Sequence, residues 1–233
     1  MIRWIFKWVL RLFLLAVALV VIFLLSLNTI LRVYIEHNIR AQTGMDAEIG
    51  TFKLGLAEPT IEIRDLKIYN RPAFGGVLFV DIAEIHAEYD RTALARKQLH
   101  LTLLRFNLAE LDIVKSQQGQ TNIFALGPTS PKKPGTVAAP NFKKQTGYEF
   151  KGIDALNVSF NKARFIDLQN QHNNREQVIG LQNCVVPNVK SANDLAGLIF
   201  LIDLRSNHFF DSLIAKPKNS ALQSILNLMG VAF

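Results

Sequence analysis

The chain has very few of the residues that crosslink a fold, ligate metals or perform catalysis. Its single cysteine, Cys184, has no partner within the chain for a disulfide. The five histidines show no metal-ligand spacing, and a Gly-x-Ser-x-Gly elbow and a glycine-rich phosphate loop are both absent. We therefore expect a protein that is not an enzyme and that needs no cofactor and no metal.

Residues 12–31 lack charge altogether, and this run is the most informative segment of the chain. Its polar residues are Ser26, Asn28 and Thr29, all near its end. A helix of about 20 mostly apolar residues crosses the hydrocarbon core of a bilayer. A cleaved signal peptide is the alternative, but its apolar region is shorter and is followed by small residues, whereas Ala16 and Ala18 fall inside this run. The sequence predicts an uncleaved, single-pass transmembrane helix.

The flanks of this run predict its orientation. By the positive-inside rule, the basic N-terminus, residues 1–11, stays in the cytoplasm and the rest of the chain lies outside it. Tryptophan rings favour the headgroup layer of a membrane. The residues assigned to the membrane interface are Arg3, Trp4, Lys7, Trp8, Arg11 and Arg32.

The net charge of +7 does not indicate a nucleic-acid-binding protein. Arg3, Lys7, Arg11 and Arg32 flank the apolar run, and Lys132, Lys133, Lys143 and Lys144 lie in a proline-containing stretch. These eight cations account for the whole excess, so no basic stripe is left for a phosphate backbone. We expect membrane lipids rather than nucleic acid as partners of the N-terminal cations.

Beyond residue 32 the apolar residues alternate with a period of two, which is typical of β-strands. Residues 127–147, rich in proline and lysine, predict a flexible linker between a first half, residues 32–126, and a second half, residues 148–233. The expected fold class is mainly β (α+β): one N-terminal transmembrane helix, then a curved antiparallel sheet or groove with short helices. Whether the two halves share one sheet is left open.

Local patterns add three expectations. A switch of the apolar face at Arg64 and Asp65 predicts a β-bulge. Residues 91–97 favour a short helix, and Ser191 with Asp194 forms a capping-box pattern before a helix that carries Leu195, Leu198, Ile199 and Ile202 on one face.

The apolar strand faces allow two interpretations. They form an ordinary core covered by a helix, or they form a groove left partly open for acyl chains. The candidate groove residues are Phe52, Leu54, Leu56, Ile61, Ile63, Leu66, Ile68, Leu101, Leu103 and Phe106. A C-terminal apolar stripe at helical spacing, which we expect to dock on a partner protein, consists of Leu222, Ile225, Leu226 and Met229.

The order of these parts resembles the N-terminal region of the AsmA-like family of bacterial envelope proteins, which is related to bridge-like lipid-transfer proteins. The resemblance lies in the Thr43-Gly44 step, the Glu48-Ile49-Gly50 strand, the run IEIRDLKIYN at residues 61–70, the helix at 91–97 and GQTNI at residues 119–123. It implies a single-pass inner-membrane protein with a periplasmic β domain, involved in lipid handling or outer-membrane and envelope biogenesis. The second hypothesis is a structural scaffold or accessory subunit, with protein partners in the inner membrane or periplasm.

Overall fold

A long N-terminal helix precedes the sheet. The computed structural model describes residues 2–55, 57–123, 146–207 and 209–210. Helix α1 extends over Ile2–Thr43 without interruption. It ends at Gly44, which has a φ of +68° and donates its N–H to the Arg40 carbonyl at 2.9 Å. Glycine adopts this left-handed conformation without steric cost, which makes Gly44 a suitable residue to end the helix.

Six strands form one open sheet in chain order. They are β1 (Asp46–Leu54), β2 (Thr60–Tyr69), β3 (Leu78–Tyr89), β4 (Gln98–Lys115), β5 (Glu149–Asp167) and β6 (Arg175–Val189). The predicted fold class, a mainly β (α+β) chain with an N-terminal apolar helix, is confirmed.

One pair of strands departs from the antiparallel expectation. Strands β4 and β5 run parallel, whereas the other neighbouring pairs are antiparallel, so the sheet is mixed. For two neighbouring strands to run parallel, the connection between them must return the chain to the end of the sheet at which the first strand begins. The segment between Lys115 and Glu149 is long enough for this return. Pairing extends from Gln98↔Glu149 to Lys115↔Asp167, which places both halves of the chain in one sheet.

The apolar face of β2 does switch at Asp65, but the predicted β-bulge is wrong. Asp65 has a φ of +55°, yet the register is unchanged on both sides of it, with Thr51↔Arg64 and Ile49↔Leu66 as pairs. Gly50 lies opposite, where an added Cβ would approach the Asp65 Cβ to 2.8 Å. Both strands therefore change faces together, because a glycine makes room for the left-handed residue.

Two predicted short helices are confirmed. Helix α2, Arg91–Ala95, is capped by Asp90, whose carboxylate accepts the N–H groups of Thr92 and Ala93 at 2.7 and 3.2 Å. Helix α3, Ala196–Arg205, follows the 3₁₀ turn Ala192–Leu195 and packs against β6. The predicted capping box is present, with the Asp194 carboxylate accepting the Ser191 N–H at 2.8 Å.

The outer edge strand β6 is irregular. Gly180, Asn183 and Asn188 have positive φ angles, and Pro187 has no N–H to donate. In addition, Arg205 on α3 donates from Nη1 to the Gly180 carbonyl at 2.7 Å. Such features blunt a sheet edge against pairing with another strand.

Candidate functional site

Helix α1 lies along the other edge of the sheet and contacts β1. Asn28 accepts the Leu54 N–H at 3.0 Å through Oδ1, Arg32 donates to the Gly50 carbonyl at 3.2 Å, and Glu36 accepts the Ile49 N–H at 2.8 Å. These three side chains recur every four residues, so they lie on one face of the helix. We refer to Asn28, Arg32 and Glu36 as the side-chain ladder; it satisfies backbone groups of the edge strand that would otherwise need water.

The same helix contains a segment long and apolar enough to cross a membrane, within Leu10–Thr43. Its most apolar window has no residue buried against the rest of the protein. From Leu10 to Asn28 the helix rises about 27 Å, at about 1.5 Å per residue. A hydrocarbon core is about 30 Å thick. The ladder therefore begins where such a span would end, and no spacer separates the apolar segment from the sheet.

The predicted interface residues are placed in two environments. The Trp4 and Trp8 rings meet edge to face with centroids 5.8 Å apart, and the Arg11 guanidinium lies 5.8 Å from the Trp8 ring centroid. The side chain of Lys7 is exposed, whereas that of Arg3 lies outside the described part. Arg32 instead joins the ladder, where it also pairs with Glu36 at 3.1 Å.

One face of the sheet is apolar, and it divides into two halves along the strands. We call the half that begins at Leu54 the open half, because its side chains are only partly buried although they touch the core: Leu54, Ile61, Ile63, Ile85, Leu101, Leu104 and Phe106. The farther, closed half is at most 9% exposed at each of its residues: Ile49, Leu66, Ile68, Val80, Ile82, Leu108 and Leu111. The open half is the one next to Asn28.

The two halves are continuous because the strands are in register across the sheet. Ile63 pairs with Ile85, and Ile85 with Phe106. Leu66 pairs with Ile82, and Ile82 with Leu108. Directly opposed residues share a face, so each such row extends the apolar surface from β2 to β4.

The predicted groove residues divide between these regions. Phe52 pairs with Ile63 of the open half, but its own side chain is only 8% exposed. Leu66 and Ile68 belong to the closed half. Leu56 lies outside the described residues. Leu103 lies on the opposite face and Leu104 takes its place, because the register of β3 and β4 shifts by one residue between Glu88↔Leu103 and Tyr89↔Leu101.

At the far end of the sheet a buried polar network holds the closed half together. Asn122 donates from Nδ2 to the Asn70 Oδ1 and to the Asp112 carbonyl, both at 2.9 Å, and its own Oδ1 accepts the Val114 N–H at 3.0 Å. Arg164 forms a two-pronged ion pair with Asp112, at 2.9 and 2.6 Å. Sequence reasoning singled out the segments that contain Asn70 and Asn122 but missed their contact, since 52 residues separate them.

Asp167 sits beside this network, and its partners favour the ionised form of its carboxyl group. Asn173 donates to its Oδ2 at 3.0 Å, Lys115 pairs with the same oxygen at 3.0 Å, and the Gln169 and Asn170 N–H groups donate to Oδ1. The Asn173 bond is the largest of these effects, and together they hold the pKa of Asp167 well below its usual range.

Several predicted features lie elsewhere or outside the described part. Cys184 is a free, half-buried thiol that packs against the core. Within the described ranges no group of three or more His, Cys, Asp or Glu side chains is arranged to hold a metal ion. The stripe Leu222, Ile225, Leu226 and Met229, and most of the linker 127–147, are outside the described residues.

Comparison with known proteins identifies no relative. No family model, no curated protein and no solved structure matches the chain. The features of this chain that bear on its function are the apolar sheet face, the long helix beside it and the edge that they share.

Proposed function

We propose that this protein is a non-enzymatic, membrane-anchored lipid-handling protein of the AsmA-like type. In this proposal α1 is its single span, the N-terminus is cytoplasmic, and the sheet stands on the periplasmic side of a bacterial inner membrane. The observation that supports it is the open half: partly exposed apolar side chains lie next to Asn28, where the candidate span ends. Acyl chains that leave the bilayer at that point would meet an apolar surface rather than water.

The division of the apolar face supports a lipid path over an ordinary core. A core covered evenly would bury both halves alike, whereas on β2, β3 and β4 the residues of the open half are only partly buried and those of the closed half are at most 9% exposed. Exposed apolar area costs about 25 cal/mol per Å² relative to burial, so a surface of this kind is typical of a binding site.

A pair of substitutions on opposite faces of the sheet tests this function. Ile63→Asp places a charge in the open half, and Leu103→Asp places the same charge on the opposite face as the control. Full-length protein is extracted gently from its native membrane, and bound phospholipid is quantified by mass spectrometry. We expect Ile63→Asp to lose phospholipid that the wild type and Leu103→Asp retain. Equal phospholipid in all three proteins, with each still folded by near-ultraviolet circular dichroism, would contradict the proposal.

The second candidate is a structural scaffold or accessory subunit of a larger envelope complex. Phe200 and Leu204 favour it, because they lie one turn apart on α3 and are 67% and 62% exposed. The same purified sample decides between the candidates. The scaffold is favoured if partner chains copurify at fixed stoichiometry without bound phospholipid. These chains should then be lost in the Phe200→Ser/Leu204→Ser double variant.

A further inference from the structure

A polar cavity of about 430 Å³ lies at the end of the sheet where α2 folds back over β4. Four basic side chains line it: Arg96, His100, Lys151 and Lys190. Two carboxylates, Asp90 and Asp154, line it as well. The cavity lies away from the apolar face, because Leu101 packs against the core and the adjacent His100 therefore points to the other side of β4.

The carboxylates of this cavity are already engaged. Asp90 caps α2, and the N–H groups of Ala93 and Thr92 lower the pKa of its carboxyl group. The Asp154 Oδ1 lies 2.8 Å from Nε2 of His100, and Lys151 pairs with Glu149 at 2.6 Å. Across residues 2–55, 57–123, 146–207 and 209–210, the side chains of Arg96 and Lys190 form no ion pair. Arg96 and Lys190 are thus the two cations of this cavity that no described carboxylate holds in an ion pair.

Contacts connect this cavity to the end of the apolar helical segment. Arg91, at the start of α2, donates from Nη2 to the Ala57 carbonyl at 2.8 Å, and Tyr89 donates its N–H to the Pro59 carbonyl at 3.0 Å. Ala57 and Pro59 lie in the turn that follows β1, and β1 ends at Leu54, which is bonded to Asn28. The unpaired cations therefore lie at the end of the sheet that meets the candidate span.

We propose that this cavity binds a phosphate group, with Arg96 and Lys190 as its ligands. Arginine and lysine donate charge-assisted hydrogen bonds to phosphate oxygens, and anionic headgroups attract cations near a membrane surface. This inference rests on the proposed membrane anchoring, since the position of the cavity favours the phosphate of an anionic phospholipid over free phosphate. The site would hold the sheet against the headgroup layer, separately from the apolar face.

Titration with short-chain lipids tests the site in the full-length protein in neutral detergent. Three probes are compared by isothermal titration calorimetry: dihexanoyl phosphatidylglycerol, dihexanoyl phosphatidylcholine and inorganic phosphate. The Arg96→Gln/Lys190→Gln double variant is matched by Lys53→Gln/Lys67→Gln, which removes two exposed lysines on β1 and β2. We expect saturable phosphatidylglycerol binding that weakens at least tenfold in the first variant and is unchanged in the second.

The remaining outcomes separate the sources of the phosphate and the two proposals. Inorganic phosphate could bind as tightly as phosphatidylglycerol and lose its affinity in the Arg96→Gln/Lys190→Gln variant. That result would overturn the assignment to a lipid headgroup and leave a site for free phosphate. No saturable binding of either anion, or equal binding by both double variants, would overturn the site itself. Ile63→Asp should leave the difference in affinity between phosphatidylglycerol and phosphatidylcholine unchanged even where it removes copurified phospholipid. Loss of that difference in Arg96→Gln/Lys190→Gln therefore tests this site separately from the lipid-handling proposal.

Discussion

The open and closed halves of the apolar face are built from the same kinds of residues on the same strands, yet they are buried differently. On β3, Ile85 is only partly buried, whereas Ile82, three residues away, is 6% exposed. The closed half ends in the buried Asn70–Asn122 contact and the Asp112–Arg164 ion pair, and the open half ends at α1 and α2. Apolar composition alone therefore does not determine a core, because covering elements decide which part of an apolar face becomes interior.

The largest expected difference between the halves is in the loss of stability caused by a large-to-small substitution in each. Ile82→Ala should lower the free energy of unfolding by about 3 kcal/mol, since the closed half has no solvent to fill the space. Ile85→Ala, the same change in the open half, should cost about 1 kcal/mol because part of the side chain is already hydrated. Denaturant unfolding in detergent measures both. Equal losses would mean that the open half is as well covered as the closed half.

The ladder offers a second comparison, because its ends bond to different halves. Glu36→Ala should cost about 2 kcal/mol, since a charge-assisted hydrogen bond to the Ile49 N–H is lost beside the closed half. Glu58→Ala, in the exposed turn after β1, is the control and should change stability little. Faster amide hydrogen exchange at Ile49 in the first variant alone would confirm that the ladder carries the effect.

At the other end of the ladder the expected effect is smaller and local. Asn28→Ala removes the acceptor for the Leu54 N–H and should cost about 1 kcal/mol. Thr29→Ala changes the adjacent, exposed residue and serves as the matched control. We expect exchange at Leu54 to accelerate while exchange at Ile49 stays slow; acceleration at both positions would show that the two halves open together.

Acid should affect the closed end through Asp167. Its pKa is lowered in the folded state, so the stability it contributes is present above its ordinary pKa of about 3.9 and is lost as the pH falls below that value. Asp167→Asn should flatten this acid dependence, which unfolding curves between pH 5 and pH 2 would reveal. If the free energy of unfolding falls with pH as steeply in the variant as in the wild type, other carboxylates cause the fall.

The sequence was informative wherever a local pattern determines the structure. The charge-free run, Gly44, the capping box of Ser191 and Asp194, and the alternating strands all depend on neighbours within a few residues. The parallel pairing of β4 with β5 was not predictable, because alternation does not specify strand direction. The exchange of Leu103 for Leu104 was missed for a related reason: a single register shift reverses which side chains face the core.

The candidate site was predicted only in part, since it depends on contacts between distant segments. Ile63, Leu101 and Phe106 could be selected from their spacing, but their partial exposure depends on which distant elements cover that part of the sheet. The cavity beside α2 gave no sequence signal, because Arg96 and Lys190 are ordinary cations until the fold brings them together. Asn28 looked like a polar exception in an apolar run, and its role became clear only from the Leu54 N–H.

The ladder also limits the size of any assembly built from this sheet. Side chains of α1 occupy outward backbone groups at Ile49, Gly50 and Leu54, so a further strand cannot pair there without displacing the helix. At β6, Pro187 and the Arg205–Gly180 bond oppose strand addition as well. Both edges therefore oppose strand addition, and under the proposed function a longer path for lipid would have to continue end to end along the strands or pass to a different protein.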